Sequence, residues 1–174
     1  MLTGKKILIG VTGSIAAYKV AYLIRNLIKL EAEVKVIMTS ASCDFISPLT
    51  LATLSKNPVA IEFIKNEEGE WENHVELGLW ADLFVIAPAT ANSIAKMVHG
   101  NSDNLLLATY LSARCPVWVA PAMDLDMFTH FSTQENLKKL TAEQVRIIEP
   151  THGELASGLE GQGRITLAEK QVYS

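Results

Sequence analysis

A short apolar run in the second half of the chain ends in residues that could bind a ligand. Pro116–Ala120 (PVWVA) is rich in β-forming residues and predicts a buried strand, which Pro121 is expected to end. Met123, Asp124 and Met127 come next. Because ligands bind beyond the carboxyl ends of the strands in an open α/β sheet, these side chains are predicted to line a pocket. The alternative is an ordinary strand-to-helix turn in which Asp124 is the N-cap.

A glycine turn near the start of the chain has the composition of a phosphate-binding corner. Lys6–Val11 (KILIGV) predicts a buried first strand, Gly13 and Ser14 follow it, and residues 15–30 carry the apolar stripe of a helix. Glycine permits a tight turn, and the N-terminus of a helix favours an anion. Since the G-x-G-x-x-G spacing of dinucleotide sites is missing, the turn favours a mononucleotide. The alternative is a plain strand-to-helix turn capped by Ser14.

Two further predicted strands also end in small or hydroxyl-bearing residues. Glu33–Met38 (EVKVIM) is followed by Ser40 and other hydroxyl-bearing residues, with Phe45 one helical turn later. Leu83–Ala87 (LFVIA) leads into residues 88–93 (PATANS), whose small side chains let a ligand approach the backbone closely. The hydroxyls after Glu33–Met38 could bond a phosphate, and Phe45 could pack on a flat ring. Alternatively, the hydroxyls of this stretch are helix caps and Phe45 belongs to the core.

One histidine, His74, enters an otherwise apolar segment. It follows the charged, glycine-containing stretch Lys65–Asn73, which is predicted to be a solvent-exposed loop. The charge of a histidine can change near neutral pH, so this side chain is a candidate for acid–base chemistry. The alternative is a capping or surface histidine with no chemical role.

The rest of the chain alternates strands with helices, which predicts an α/β domain. Glu149–Arg164 has four glycines and no periodicity, and a loop of that length inside a domain is usually functional or disordered. Its glycines could serve as the hinges of a flap. The remaining predicted elements are strands at Val59–Ile64 and Val145–Ile148, helices at 48–54, 93–98 and 103–112, a helix opened at Ser132–Glu135 by a capping box, and a second capping box at Thr166–Glu169.

Composition narrows the class of protein. The chain has 174 residues, 49% of them hydrophobic, which suits one globular domain with a sizeable core. A net charge of −4 without a basic run argues against a nucleic-acid partner. Cys43 and Cys115 form no metal-ligand pattern, so we expect no metal and a reducing, cytoplasmic setting. No signal peptide is visible, and charges interrupt every long apolar segment, so we expect no membrane association.

Taken together, the motifs resemble those of the flavin-dependent cysteine decarboxylase family. The resemblance runs from about Lys5 to Arg164, and each motif alone is weak. The matching stretches are Gly10-x-Thr12-Gly13-Ser14-Ile15-Ala16-Ala17-Tyr18-Lys19, Thr39-x-Ala41-x-x-x-Phe45-Ile46, His74 ahead of Trp80-Ala81-Asp82, Ala87-Pro88-Ala89-Thr90-Ala91-Asn92, Pro121-Ala122-Met123-Asp124-x-x-Met127-Phe128 and Leu155-Ala156-Ser157-Gly158-x-x-Gly161-x-Gly163-Arg164.

The resemblance implies a flavodoxin-like, doubly wound parallel sheet with helices on both faces, which binds FMN as a single domain over residues 1–174. It implies homotrimers or homododecamers that act on a small-molecule substrate. The likeness is greatest to members that decarboxylate 4′-phosphopantothenoylcysteine in coenzyme A biosynthesis; no synthase domain is expected here. The implied catalytic residues are His74, Asp124 and Ser157. The implied cofactor-binding residues are Gly13, Ser14, Ile15, Ser40, Phe45, Thr90, Ala91, Asn92, Ser93, Ala122 and Met123.

Two departures from the family pattern bear on the reaction. Asp124 stands where the family has an asparagine that holds the substrate carboxylate, and Ser157 stands where it has an acidic cysteine. An ionised aspartate repels a carboxylate, and a serine hydroxyl is a far weaker acid than a thiol. Two other readings stay open: oxidative decarboxylation of a peptide C-terminal cysteine, and a non-catalytic, flavin-binding regulatory protein. His74 and the Met123–Met127 signature argue against a flavin prenyltransferase, which shares the fold.

Overall fold

The computed structural model describes residues 1–154 and 160–164. Strands and helices alternate along most of this part of the chain. The strands are β1 (Lys6–Val11), β2 (Glu33–Met38), β3 (Val59–Ala60), β4 (Leu83–Ala89), β5 (Val117–Pro121), β6 (Arg146–Ile147), β7 (Thr151–Glu154) and β8 (Glu160–Arg164). The helices are α1 (Tyr18–Lys29), α2 (Pro48–Ser55), α3 (His74–Trp80), α4 (Ala91–His99), α5 (Leu105–Ser112), α6 (Leu125–Thr129) and α7 (Phe131–Ala142), with short 3₁₀ helices at Ile15–Ala17 and Ser40–Asp44.

The central sheet has six parallel strands in the order β3-β2-β1-β4-β5-β6. The predicted doubly wound parallel sheet is therefore confirmed. The chain first builds outward from β1 through β2 to β3, then crosses back to β4 and builds in the opposite direction. This reversal places a topological switch point between β1 and β4, where the loops after neighbouring strands diverge and leave a crevice.

Apolar side chains pack on both faces of the sheet. Helices α1 and α2 cover one face, where Val20, Leu23 and Leu51 are buried. The other face is covered by α3, α4, α5 and α7 and includes the buried Phe84 and Leu106. Strands of such a sheet are buried on both faces, which explains why β1 and β4 are continuously apolar rather than alternating. None of the helices in the described part of the chain is long and apolar enough to cross a membrane.

Several predicted boundaries were wrong. The strand expected to stop at Ala87 continues through Pro88 to Ala89. Pro121 ends β5 as predicted and is itself the last residue of the strand. A proline fits there because β6 pairs only with Trp118 and Val119, so the sheet beside Pro121 is open on one side. The strand expected over Val59–Ile64 covers two residues only, as β3.

The capping box predicted at Ser132–Glu135 was also wrong. Helix α7 begins at Phe131, and its N-cap is His130, whose Nδ1 accepts a hydrogen bond from the Ser132 backbone N–H at 3.2 Å. The imidazole therefore takes the place that the sequence pattern assigned to a serine hydroxyl. The capping box predicted at Thr166–Glu169 lies outside the described residues.

The segment expected to be a loop without secondary structure contains two antiparallel strands. Strands β7 and β8 pair with each other, with Gly153 opposite Gly161. Periodicity could not predict them because glycine has no side chain to alternate across a pleat. The expected hinge function of these glycines stays a prediction.

Candidate active site

The predicted cofactor residues converge on the carboxyl edge of the sheet. They occupy the loops that follow β2, β1, β4 and β5, and the first turns of the helices after them; these four strands are consecutive neighbours in the sheet. Because all four strands point the same way, their following loops meet at one edge, on both sides of the switch point. The structure thus brings together Gly13, Ser14, Ile15, Ser40, Phe45, Thr90, Ala91, Asn92, Ser93, Ala122 and Met123.

Thr12 joins the two central loops of this edge, and the sequence interpretation did not single it out as a site residue. Its hydroxyl donates to the carbonyl oxygen of Pro88 at 2.6 Å and accepts from the backbone N–H of Thr90 at 3.0 Å. The side chain is 1% exposed. Its sequence signals are a position directly after a buried strand, which is common, and a place in the matching stretch that begins at Gly10, which is weak alone; neither identifies a site residue.

Hydroxyl groups cap the short helices that begin at this edge. Ser14 Oγ accepts from the backbone N–H of Ala16 at 3.2 Å, and Thr90 Oγ1 accepts from that of Ser93 at 3.2 Å. The capping alternative predicted for Ser14 is therefore correct, and Thr90 caps α4 in the same way. Capping does not exclude a role in phosphate binding, since a hydroxyl that accepts a capping hydrogen bond keeps a proton to donate. The Thr90 hydroxyl donates to Ser93 Oγ at 3.1 Å.

Gly13 lies against the loop that follows β2. A Cβ atom built on Gly13 would come within 3.0 Å of the Ala41 Cβ and 3.3 Å of the Ala41 carbonyl oxygen. Any larger residue would push the two loops apart, so the lack of a side chain at this position sets their spacing. Ile15 and Phe45 stand at these loops with exposed fractions of 62% and 46%, which leaves apolar surface at the mouth of the crevice.

Ser40 forms a contact that the sequence did not predict. Its hydroxyl donates to the Glu62 carboxylate at 2.9 Å. Glu62, in the loop after β3, also lines a cavity of about 580 Å³ beside the sheet edge, together with Ile64, Lys65 and Leu77. This volume is in the range of small-molecule sites. None of the predicted cofactor residues lines this cavity. Of its lining residues, Glu62 accepts the hydrogen bond from Ser40, and Leu77 lies on α3, the helix that begins at His74.

His74 is the first residue of α3. The crossover from β3 to β4 runs antiparallel to the strands, so α3 begins at the same sheet edge as the loops above. The cap is Asn73, whose Oδ1 accepts from the backbone N–H groups of Val75 and Glu76 at 3.0 and 3.3 Å, so His74 is not the capping residue. Among the described residues no group hydrogen-bonds His74 Nδ1, although this atom is buried.

Asp124 occupies the N-cap position of α6 without capping it. Its backbone is extended, with φ −64° and ψ 159°, but its side chain makes no capping hydrogen bond. Ala122, just before it, is buried, and its N–H donates to the Ala89 carbonyl at 3.1 Å, which ties this loop to the loop after β4. Met127 is 51% exposed on α6. Ser157, the third predicted catalytic residue, lies outside the described residues.

The Cys43 thiol is poorly suited to nucleophilic chemistry. Burial raises the pKa of this thiol above its ordinary value of 9.0, and the nearby carboxylates of Asp44 and Glu62 raise it further. A thiol with a raised pKa holds little thiolate at neutral pH. Within residues 1–154 and 160–164, no cluster of three or more His, Cys, Asp or Glu side chains could hold a metal ion.

Comparison with known proteins assigns the family. Residues 1–172 match the Flavoprotein family. The chain is a member of the Flavoprotein family. It is 44% identical over 163 residues to a probable phosphopantothenoylcysteine decarboxylase of Streptococcus mutans, which covers 92% of this chain and 91% of that protein.

Two longer relatives of this Flavoprotein-family chain match only in part. It is 41% identical over 172 residues to the coenzyme A biosynthesis bifunctional protein CoaBC of Bacillus subtilis, covering 99% of the chain and 42% of that protein. It is 61% identical over 127 residues to a cysteine/cysteine sulfinic acid decarboxylase of an unknown prokaryotic organism, covering 73% of the chain and 35% of that protein. The chain therefore spans well under half the length of either relative.

Solved structures of the same fold include decarboxylases. A PPC decarboxylase mutant complexed with pantothenoylaminoethenethiol superposes with a TM-score of 0.81 at 32% identity, covering 94% of this chain and 91% of that one. The FMN-dependent cysteine decarboxylase SpaF superposes with a TM-score of 0.81 at 31% identity over the same shares of the two chains. These neighbours agree with the predicted fold.

Proposed function

We propose that this chain binds FMN and decarboxylates 4′-phosphopantothenoylcysteine to 4′-phosphopantetheine. The observation that carries the proposal is the convergence of His74 and four strand-end loops, three of which carry hydroxyl side chains, on one sheet edge. The 44% identity to a probable phosphopantothenoylcysteine decarboxylase over 91% of its length supports the same conclusion. The free thiols Cys43 and Cys115 fit a reducing, cytoplasmic setting.

The residues at the sheet edge fit a flavin mononucleotide. Ser14 and Ser93 have hydroxyl protons to offer a phosphate, and α4 presents the N-terminus of a nine-residue helix. The exposed ring of Phe45 offers apolar surface for a flat heterocycle, and Gly13 lets the loop that follows β1 pack closely on the loop that follows β2. The chemistry supplied by FMN at such a site is acceptance of a hydride from the substrate and its later return.

His74 supplies the base in this proposal. It would take the proton of the substrate thiol while hydride leaves the adjacent carbon, so that the thiol becomes a thioaldehyde. The new C=S bond then accepts the electron pair released when the carboxylate departs as carbon dioxide, and an enethiol remains. Because His74 Nδ1 is buried, Nε2 is the nitrogen that can reach the substrate.

The two departures from the family pattern act on different steps. Asp124 must either be neutral or hold another part of the substrate, since a carboxylate pair at close range is repulsive. Ser157 would have to supply or relay the proton that, with the returned hydride, converts the enethiol to product. A serine hydroxyl is a weak acid, so we expect this second half of the cycle to be slower than the first.

A second candidate substrate is free cysteine. Two observations favour it: the 61% identity to a cysteine/cysteine sulfinic acid decarboxylase, and the carboxylate of Asp124 at the sheet edge. An ionised aspartate attracts the ammonium group of a free amino acid, which phosphopantothenoylcysteine lacks because its nitrogen is acylated. The same His74 chemistry applies to both substrates.

We also propose that the chain forms a closed homo-oligomer, a trimer or a dodecamer. Large apolar side chains stand exposed on several faces, among them Tyr22 at 68%, Leu49 at 75% and Phe131 at 73%. Symmetric closure is the usual outcome for soluble homo-oligomers and would cover such surfaces. A monomer of 19.0 kDa in light scattering of the flavin-loaded protein would contradict this proposal.

The decisive experiment offers purified, flavin-loaded protein three substrates: 4′-phosphopantothenoylcysteine, free cysteine and a peptide with a C-terminal cysteine. Carbon dioxide release and product mass are measured for each. The proposal expects release from 4′-phosphopantothenoylcysteine at the highest kcat/KM. A preference for free cysteine or the peptide would replace the substrate assignment. Flavin binding without carbon dioxide from any of the three would identify a non-catalytic flavin-binding protein.

A further inference from the structure

A small β-hairpin, formed by residues 63–72, precedes α3 and carries an aromatic ring on each arm. The backbone N–H of Glu72 donates to the Phe63 carbonyl at 2.7 Å, and that of Lys65 donates to the Glu70 carbonyl at 2.7 Å. Ile64 and Trp71 pair across the two arms. Phe63 and Trp71 therefore have fixed backbone positions, one on each arm.

Ionic contacts hold the hairpin closed near its turn. The Lys65 ammonium lies 3.6 Å from the Glu70 carboxylate and 3.4 Å from that of Glu72. The Glu72 carboxylate, and after it that of Glu70, raises the pKa of Lys65. The Asn66 side chain closes the turn by accepting from the Glu70 backbone N–H at 3.1 Å. The hairpin is thus specified by its own residues, in a segment predicted from sequence as loop.

Both aromatic rings of the hairpin contact His74. The Trp71 ring stacks on the imidazole with centroids 6.3 Å apart and planes 23° apart. The Phe63 ring meets it edge-on, with centroids 6.1 Å apart and planes 86° apart. Both separations lie within the range of attractive aromatic pairs. Together with the Asn73 cap, which fixes the backbone, these contacts restrain the imidazole from two sides.

Histidines that act in proton transfer are usually oriented by a hydrogen bond from the ring nitrogen that does not react. No described residue hydrogen-bonds His74 Nδ1, although that atom is buried. We propose that Trp71 and Phe63 take over this orienting role, and that Trp71 is a positioning residue for His74. This inference rests on the proposed function only in treating His74 as the base. Trp71 is 63% exposed, so its ring can be exchanged without opening the core.

The first test measures the ring geometry without any substrate. Proton NMR of the histidine rings is compared in the wild type, Trp71→Leu and Trp71→Phe, with His74→Gln to assign the His74 signals. Trp118→Phe is the matched control, because this tryptophan lies in β5 of the central sheet, where it stacks on Arg146 and not on His74. We expect upfield-shifted His74 ring protons that lose their shift in Trp71→Leu, keep most of it in Trp71→Phe, and do not respond to Trp118→Phe. Unchanged His74 signals in Trp71→Leu would overturn the proposal.

The second test asks whether the restraint serves the reaction. Stopped-flow flavin reduction by 4′-phosphopantothenoylcysteine is compared in the same variants at equal FMN content. We expect Trp71→Leu to slow the maximal rate at least tenfold with little change in the substrate concentration for half-saturation, and Trp71→Phe to recover most of the rate. Equal rates in all variants would overturn the positioning role. If no cysteine substrate reduces the flavin of the wild type, the proposed function fails. The NMR comparison would still decide whether Trp71 orients the His74 ring.

Discussion

The hydroxyl of Thr12 accepts a hydrogen bond from the backbone N–H of Thr90 at 3.0 Å and donates one to the carbonyl of Pro88 at 2.6 Å. Thr12 directly follows β1, and Thr90 is the N-cap of α4, the helix that follows β4. This buried side chain, together with the Thr12 backbone N–H, which donates to the Pro88 carbonyl at 3.2 Å, joins the two loops at the switch point, where the proposed flavin site lies.

Replacing Thr12 by valine removes the two hydroxyl hydrogen bonds while keeping the shape of the side chain. The variant leaves the Thr90 N–H without a partner, which costs about 1–3 kcal/mol in the free energy of unfolding. The Pro88 carbonyl keeps the hydrogen bond from the Thr12 backbone N–H at 3.2 Å. Thr12→Ser keeps the hydroxyl and is the control. Urea denaturation followed by circular dichroism measures both, and equal stability of the two variants would show that the hydroxyl hydrogen bonds contribute nothing.

Ser14 offers a charge test of the phosphate site. Both Ser14→Asp and Ser14→Asn keep a good N-cap, so both proteins are expected to fold. The aspartate adds a negative charge where we place the FMN phosphate, and repulsion at that range should weaken binding at least about tenfold. The asparagine variant should bind FMN close to normally. Fluorescence titration of FMN that gives equal affinities for the two variants would move the phosphate elsewhere.

The architecture of this chain could be predicted because its strands and helices differ clearly in apolar pattern. Continuous apolar runs such as Leu83–Ala87 and the stripe over residues 15–30 fixed the order of elements, and the rule that ligands bind beyond strand ends indicated the site. The contacts that complete the site are tertiary. The contact of Trp71 with His74 depends on how a hairpin packs, and that of Glu62 with Ser40 depends on how a loop packs. Neither contact can be predicted from the spacing of residues in the sequence.

Asp124 is expected to set the preference between the two candidate substrates. Asp124→Asn restores the residue typical of the family and removes a charge that repels a carboxylate and attracts an ammonium group. We expect the variant to lower KM for 4′-phosphopantothenoylcysteine and to raise it for free cysteine, each by about tenfold, which corresponds to about 1.4 kcal/mol. Steady-state carbon dioxide release with both substrates measures the change. Parallel shifts for the two would mean that Asp124 does not select between them.

The two thiols should make the protein less stable in alkali. Burial is the largest cause that raises the pKa of both Cys43 and Cys115 above 9.0. The unfolded chain therefore loses these protons first, so their contribution to the free energy of unfolding is fully present below about pH 9 and is lost as pH rises further. The double variant Cys43→Ala with Cys115→Ala should flatten this fall in urea titrations from pH 8 to pH 10. Parallel curves for variant and wild type would contradict the assignment.

The most direct test of the central claim is anaerobic mixing of FMN-loaded protein with 4′-phosphopantothenoylcysteine in a stopped-flow spectrophotometer. His74→Asn is compared with the wild type at equal FMN content. If His74 is the base, the wild type bleaches its flavin on mixing and the variant does so about 10²–10⁴-fold more slowly, as is typical when a general base is lost. Flavin bleaching in His74→Asn at the wild-type rate would contradict the account.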